Sequence, residues 1–148
     1  MQIRTITANE LPQLLALYKH LYDADYPTPD PSVVAETWSR IQADPDLFYF
    51  GAFDDGQLVS SCTLRLTPSL THGCVPYGVI EFVVTAPSHR RRGIGKAVLL
   101  HALDHAWAAK CYKVMLMTSR KTEAVFRFYR SVGFDGDARQ AFVAMPSE

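Results

Sequence analysis

Residues 79–110 hold the arrangement that most narrows the fold. Val79-Ile80-Glu81-Phe82-Val83-Val84 reads as a strand, apolar enough on both sides to be central in a sheet. Lys96 to Lys110 contains neither proline nor glycine and reads as a helix. Between them lies Arg90-Arg91-Arg92-Gly93-Ile94-Gly95. A strand that enters a helix through a glycine-containing basic loop makes an anion site. The first turn of the helix has backbone N–H groups without helical partners, and its dipole favours negative charge. Glycine lets the backbone approach a phosphate, and arginines add positive charge. A ligand for this loop is expected to carry a phosphate or pyrophosphate. The spacing excludes a Gly-x-x-x-x-Gly-Lys-Ser/Thr loop, and Val98 stands where a dinucleotide fingerprint needs its third glycine. Arg-x-x-Gly-x-Gly remains. On pattern alone, an ordinary strand-to-helix connection with a solvated basic face is the alternative.

The bulk properties bound the class. A chain of 148 residues, 48% hydrophobic and 20% charged, suits one globular domain over residues 1–148. Fifteen basic and fifteen acidic residues cancel, which argues against a general nucleic-acid binder. Positive charge is local, at residues 90–92 and at Arg120-Lys121. Cys62, Cys74 and Cys111 are odd in number and lack close paired spacing, which argues against a disulfide framework or a four-cysteine zinc site. A reducing cytoplasm is the expected compartment. Glu10 and Pro12 interrupt the only candidate signal segment, and no stretch approaches a membrane span.

Along the chain, Gln2 to Thr7 alternates like a strand. Thr7-x-x-Glu10 fits a helix-capping box, followed by Leu11, Leu14, Leu15 and Tyr18 at helical spacing. Asp25 to Pro31 is a proline-rich loop, and a helix is expected over Ser32 to Ala43. Leu47–Phe53 and Gln57–Leu66 flank Asp54-Asp55-Gly56 as a hairpin. Thr67 to Tyr77 is a loop before the central strand, Gly78 to Thr85. Lys113 to Met117 reads as a strand and Thr122 to Ser131 as a short helix ending at Gly133. Arg139 to Met145 completes the pattern as a last strand. The order β-α-α-β-β-β-α-β-α-β predicts an α+β chain with a mixed sheet and helices on both faces.

Two further residues carry chemistry. On an alternating strand, Ile80, Phe82 and Val84 face one way, with Val79, Glu81 and Val83 the other. A carboxylate on such a covered strand loses hydration, the environment that tunes a base for amine deprotonation. The alternative is a structural glutamate, paired with an arginine or bonded to backbone. Tyr129, in Phe126-Arg127-Phe128-Tyr129, offers a phenol that can protonate a leaving group; the alternative is a core tyrosine.

Taken together, Ile80-Glu81-Phe82-Val83-Val84, Arg90-x-x-Gly93-x-Gly95 and Phe128-Tyr129-Arg130-Ser131-Val132-Gly133-Phe134 resemble the GNAT superfamily of acyl-CoA-dependent N-acetyltransferases in order and spacing. The resemblance implies a mostly antiparallel central sheet, splayed where acetyl-CoA binds. It implies that the loop from Arg90 through Arg91, Arg92, Gly93, Ile94 and Gly95 to Lys96 holds the coenzyme A pyrophosphate. Backbone of Val83, Val84 and Thr85 would pair with the pantetheine arm, with Val83 N–H as oxyanion donor. Glu81 would take the amine proton, directly or through water, and Tyr129 would protonate the departing thiolate. Attack would be direct, without an acyl-enzyme and without a metal. Thr122 stands where many members carry an asparagine that contacts the pantetheine. A narrower likeness, through Thr71-His72-Gly73-Cys74, Ile80-Glu81 and Cys111-Tyr112-Lys113-Val114, is to glucosamine-6-phosphate N-acetyltransferases. Phe82 departs from that group's usual aspartate, and Met115-Leu116-Met117-Thr118 is less polar. These changes make the pocket more apolar than a sugar phosphate calls for, although Arg120-Lys121 offer cations.

The implied activity is acetyl transfer from acetyl-CoA to a primary amine of a small molecule. A protein or peptide N-acetyltransferase and a non-catalytic coenzyme A sensor are the alternatives. No nucleic-acid or membrane partner is expected, and homodimers, common in that family, are compatible with the sequence. Tyr18, Tyr22, Tyr26 and Trp38 are candidates to border the acceptor, with ordinary packing the alternative. His101 and His105 have metal-ligand spacing without a third ligand, and His72 with Cys74 makes no site. The group Phe48, Tyr49, Phe50 and Phe53 reads as core.

Overall fold

A computed structural model describes every residue except 24–26, 28 and 148, so Tyr26 lies outside the described residues. The chain divides into two compact units, Met1–Leu116 and Met117–Glu148.

In the first unit, β1 (Gln2–Thr5), α1 (Leu11–Tyr18), α2 (Pro31–Ala43), β2 (Leu47–Asp54), β3 (Gln57–Thr67), β4 (Tyr77–Thr85), α3 (Ile94–Ala108) and β5 (Val114–Leu116) follow in order. The five strands form one sheet in sequence order, antiparallel from β1 to β4 and parallel between β4 and β5. That is the mixed, mostly antiparallel sheet the element order predicts.

Local chemistry accounts for the element ends. The expected cap forms: Thr7 N–H donates to Glu10 Oε2 at 2.7 Å, at the start of the short turn that leads into α1. Glu10 also accepts from Arg4 of β1 at 2.6 and 2.9 Å, tying the first strand to the first helix. Asp30 caps α2 by accepting from Ser32 N–H at 2.8 Å, and Pro31 takes the first helical position. In the β2–β3 hairpin, Asp55 and Gly56 both have positive φ, 46° and 77°, as a tight turn with right-handed twist requires.

Ile6, Leu14, Leu17, Trp38, Tyr49, Phe53, Leu58 and Val84 form a core between the sheet and the first two helices. Trp38 Nε1 donates to Ala8 O at 3.0 Å and its ring meets Tyr49 edge-on, so Trp38 is a packing residue. Phe50 and Phe53 are buried as well. On α3, Val98, Leu99, Ala102 and Ala106 are almost fully buried. His101 and His105 pack on aromatic rings, His101 edge-on to Phe50 at 4.9 Å and His105 4.2 Å from Phe48. Burial, with His101 beside it, lowers the pKa of His105. Among the described residues no group of three or more metal-ligand side chains gathers, and no helix is long and apolar enough to cross a membrane.

The second unit holds α4 (Glu123–Arg130), capped by Thr122 and closed at Gly133, whose φ is 103°. The expected strand from Arg139 to Met145 is absent; no residue there joins a ladder, and Phe142, Val143 and Met145 are 90%, 67% and 80% exposed. The alternation is present, but a strand is defined by a paired neighbour rather than by propensity.

Arg4 is the largest cause that holds the Glu10 carboxyl down, from 4.5 to about 2. A depressed carboxylate adds stability above its unfolded pKa, and this is lost as pH falls through the folded value. Between pH 4.5 and 2 the wild type should therefore lose on the order of 1 kcal/mol more stability than Glu10→Gln. Urea titrations at pH 7 and pH 3 check this, and parallel losses in the two proteins would refute it.

Candidate active site

The site in the first unit starts from an irregularity in β4. Thr63 of β3 pairs with Glu81 and Ser61 with Val84, so a step of two residues on β3 faces a step of three on β4. The extra residue makes a β-bulge. Phe82 carries the change, at φ 52°, a left-handed conformation that non-glycine residues seldom adopt. Side chains no longer alternate across it. Ser61 and Thr63 lie two apart on β3 and share a face, so Glu81 and Val84 share one too. Phe82 accordingly does not join Ile80 and Val84 in the interior; it is 39% exposed while they are 0% and 5% exposed. Glu81 is exposed as well, so the covered carboxylate expected from strict alternation is corrected to one that meets solvent.

Around Glu81 the face is aromatic and hydroxylic. Tyr49, Thr63 and Glu81 are register neighbours across β2, β3 and β4. Burial, and then the Glu81 carboxylate, raise the Tyr49 phenol. Tyr18, at the end of α1, places its ring 6.1 Å from Phe82, and burial pushes its phenol up. Tyr22 is half exposed. Three hydroxyls of β3 line the bulge. Ser60 Oγ donates to Val84 O at 3.0 Å and meets Thr85 Oγ1 at 2.8 Å, while Thr63 Oγ1 donates to Glu81 O at 3.3 Å. A bulge disturbs its ladder, and these side chains supply donors to its carbonyls. Tyr18 Oη and Ser61 Oγ are buried without a well-formed hydrogen bond, yet Ser61 lies near enough to offset part of the rise in the Tyr18 phenol.

The β4–β5 ladder ends at Ile80 opposite Leu116, whereas β4 continues to Thr85. Val83, Val84 and Thr85 thus present a sheet edge with no ladder on the β5 side. An extended ligand arm can add there as a further strand. Past Thr85 the chain turns through Pro87–His89 into the arginine loop. Arg91 and Gly93 both have positive φ, 58° and 77°, and Gly93 caps α3. The helix begins at Ile94 rather than Lys96, so Gly95 lies in its first turn. Ala97 N–H donates to Gly93 O at 3.0 Å, leaving the amides of Ile94, Gly95 and Lys96 ahead of the helical ladder. The sheet edge and the helix end, with its free first-turn amides, therefore follow one another along the chain, an order that can suit an extended anionic ligand.

The three arginines differ in their contacts. Arg90 Nε donates to Thr85 O at 3.0 Å, and Arg92 pairs with Asp54 at 3.6 Å. Arg91 and Lys96 are exposed. In the second unit, Tyr129 is partly buried, in ring contact with Phe128 and Phe134. Thr122 accepts from Val125 N–H at 3.4 Å as the cap of α4, so its oxygen is engaged while its O–H proton can still be donated. Cys62 is fully buried, with its thiol pushed up to about 12, which disfavours the nucleophilic thiolate. His72 stacks on Tyr112 at 3.8 Å, and the Cys74 thiol is directed to Leu70 O. The sequence gives the β3 hydroxyls no role, reads Tyr49 as core only and Asp54 as part of a hairpin turn. Ser60-Ser61-Cys62-Thr63 within an otherwise apolar strand was the available signal.

A bulged strand whose edge runs past the β4–β5 ladder leads into a basic helix N-terminus, an arrangement that can take an extended, anionic ligand. The acetyltransferase (GNAT) family model matches residues 11–134, and the chain belongs to that family, whose members use acetyl-CoA as co-substrate. It is 31% identical over 140 residues to the glucosamine 6-phosphate N-acetyltransferase of Trypanosoma brucei brucei, covering 95% of this chain and 92% of that protein. A provisionally assigned acetyltransferase from Agrobacterium tumefaciens superposes with a TM-score of 0.90 at 36% identity, over 98% of this chain and 100% of the other. Glucosamine-6-phosphate N-acetyltransferase from Arabidopsis thaliana shares the fold, with a TM-score of 0.84 at 19% identity over 98% of both chains.

A Cβ at Gly93 would meet nothing within 4 Å, so its constraint is conformational rather than steric. Gly93→Val should cost about 1–2 kcal/mol in the loop conformation and weaken acetyl-CoA binding about five- to thirtyfold. Calorimetric titration checks this; wild-type affinity in the variant would remove the loop from the cofactor site.

Proposed function

We propose that residues 1–148 act as one N-acetyltransferase domain that moves acetyl from acetyl-CoA to a primary amine of a small molecule. The observation that carries the reading is the end of the β4–β5 ladder at Ile80 and Leu116, beside exposed Glu81 and directly before the Gly93 helix cap. On this reading the amides from Arg91 to Lys96 hold the pyrophosphate, and Val83 to Thr85 pair with the pantetheine arm. Val83 N–H polarises the thioester carbonyl. The amine nitrogen attacks the carbonyl carbon directly, and the carbon–sulfur bond breaks as the new amide forms. Glu81 takes the proton the amine loses, and Tyr129 gives a proton to the departing thiolate. Both roles rest on motif position, since Glu81 lies in the first unit and Tyr129 in the second. Buried Cys62 and Cys111 fit a mechanism without an acyl-cysteine.

For the acceptor, an aminosugar is the first class to try. The Trypanosoma relative carries that activity in its name and spans nearly the whole chain. A soluble, cytoplasmic enzyme with no metal requirement completes the reading.

Thiol release from acetyl-CoA, followed against glucosamine 6-phosphate, other aminosugars, polyamines, amino acids and short peptides, tests the class. A small-amine substrate is expected, and turnover of peptides alone would overturn the proposal. With that substrate, Glu81→Gln should lower kcat about 100-fold near neutral pH and Tyr129→Phe by roughly tenfold or more. Full activity in both variants would refute the two assignments while leaving the transfer reaction in place.

A further inference from the structure

Asp54 is the last residue of β2 and stands where the strand enters the tight Asp55-Gly56 turn. Its carboxylate meets two side chains of the segment that leads into α3. His89 Nε2 lies 3.5 Å from Asp54 Oδ2 and Arg92 NH2 lies 3.6 Å from the same oxygen. His89 is fixed from its other side, where Nδ1 is 2.8 Å from Ser88 Oγ. Arg90 turns back to Thr85 O, and Ala86 N–H donates to Val59 O at 2.8 Å. The loop is thus attached to β3 and to its own strand by backbone and by Arg90. Its far side is attached to the hairpin through one carboxylate.

Placing a carboxylate here is costly if the loop only collects positive charge. Asp54 cancels part of the field of Arg92 at the position where a pyrophosphate is to bind. A gain must offset that, and the pair energies are too small to supply it as stability, since exposed ion pairs contribute about 0–1 kcal/mol each. Geometry supplies it instead. Arg91 at φ 58° and Gly93 at φ 77° lie on either side of Arg92, so the loop between them adopts a conformation an unrestrained chain seldom visits. Ordering those residues before the ligand arrives removes that entropy from the binding step.

Resting on the cofactor site proposed above, we propose that Asp54 is a positioning residue for the coenzyme A phosphate loop. It straps Arg92 and His89 to the β2–β3 hairpin and so holds the amides that follow Arg91 in their binding geometry. The cations divide accordingly. Arg90 and Arg92 brace the loop, while exposed Arg91 and Lys96 are left to meet phosphate oxygens.

The two roles of a carboxylate near a polyanion have opposite signs, which makes the test sharp. If Asp54 is merely a nearby negative charge, Asp54→Asn should bind acetyl-CoA more tightly. If it is a strap, the same variant should bind about five- to tenfold more weakly by calorimetry, with the acceptor KM unchanged. Asp54→Glu should restore most of the affinity, because 3.5–3.6 Å separations leave room for a longer reach. In a His89→Gln, Arg92→Gln background the Asp54→Asn effect should fall below about twofold. Equal or tighter binding in Asp54→Asn, or an undiminished effect in that background, would overturn the proposal. Gly93→Val separates the two failures. If it weakens binding while Asp54→Asn does not, the strap alone is wrong. If neither changes affinity, the loop is not the cofactor site and both readings fall.

Discussion

The register of β4 against β3 is the constraint on which the rest of the first unit depends. One extra residue, accommodated by Phe82 in a left-handed conformation, decides which side chains meet solvent and which meet the core. Without it, Glu81 and Val84 would face opposite ways. With it, Val84 packs beneath α1 and α2 while Glu81 shares that face at its open end. A left-handed non-glycine residue costs about 1–2 kcal/mol, and the Tyr18 ring beside Phe82 can return about 0.5–1.5 kcal/mol through an aromatic contact. The two are of the same size, so the bulge is affordable without being favourable by itself. The hydroxyls of Ser60 and Thr63 complete it by donating to the carbonyls of Val84 and Glu81.

A second constraint is where the sheet stops pairing. Parallel strands need a crossover helix, and α3 supplies it between β4 and β5. β5 has only three residues, all used by the ladder to Gly78, Val79 and Ile80. The remainder of β4 then has an open edge that runs toward the N-terminus of α3. Short β5, long β4 and the glycine-capped helix are linked, because the length by which β4 outruns β5 sets how much open edge leads toward the start of α3.

Sequence made much of this legible where the cause is local. Thr7 and Glu10 announced the start of α1, Asp55-Gly56 the hairpin, and Gly93 the cap of α3, because each needs only its immediate neighbours. The bulge was not legible. Phe82 is a good strand residue, and nothing in Val79 to Thr85 betrays an extra residue that exists only relative to β3. The exposure of Glu81 was misjudged for the same reason. Arg139 to Met145 failed in the opposite direction, since its alternation is real but the pairing that makes a strand is not encoded within seven residues. His101 and His105 have ligand spacing but no third ligand in the sequence, and their actual role as ring partners of Phe48 and Phe50 shows only in the packing of α3 on the sheet.

Exposure of Glu81 also bears on how a base in this position can work. The Glu81 carboxylate already faces water before any reactant binds. If Glu81 is the base, its water must leave when the reactants arrive. The pantetheine arm would lie along Val83 to Thr85, and an acceptor against Tyr18, Phe82 and Tyr49 would cover the opposite side. Both ligands together would then create the dry setting that neither makes alone. The cation of β3 on that face is already paired. Arg65 lies two residues beyond Thr63 and is held by Asp44 at 2.7 Å, so a phosphate arriving there would compete with a carboxylate already in place. An acceptor phosphate, if the substrate bears one, therefore has to find its cations elsewhere than on β3.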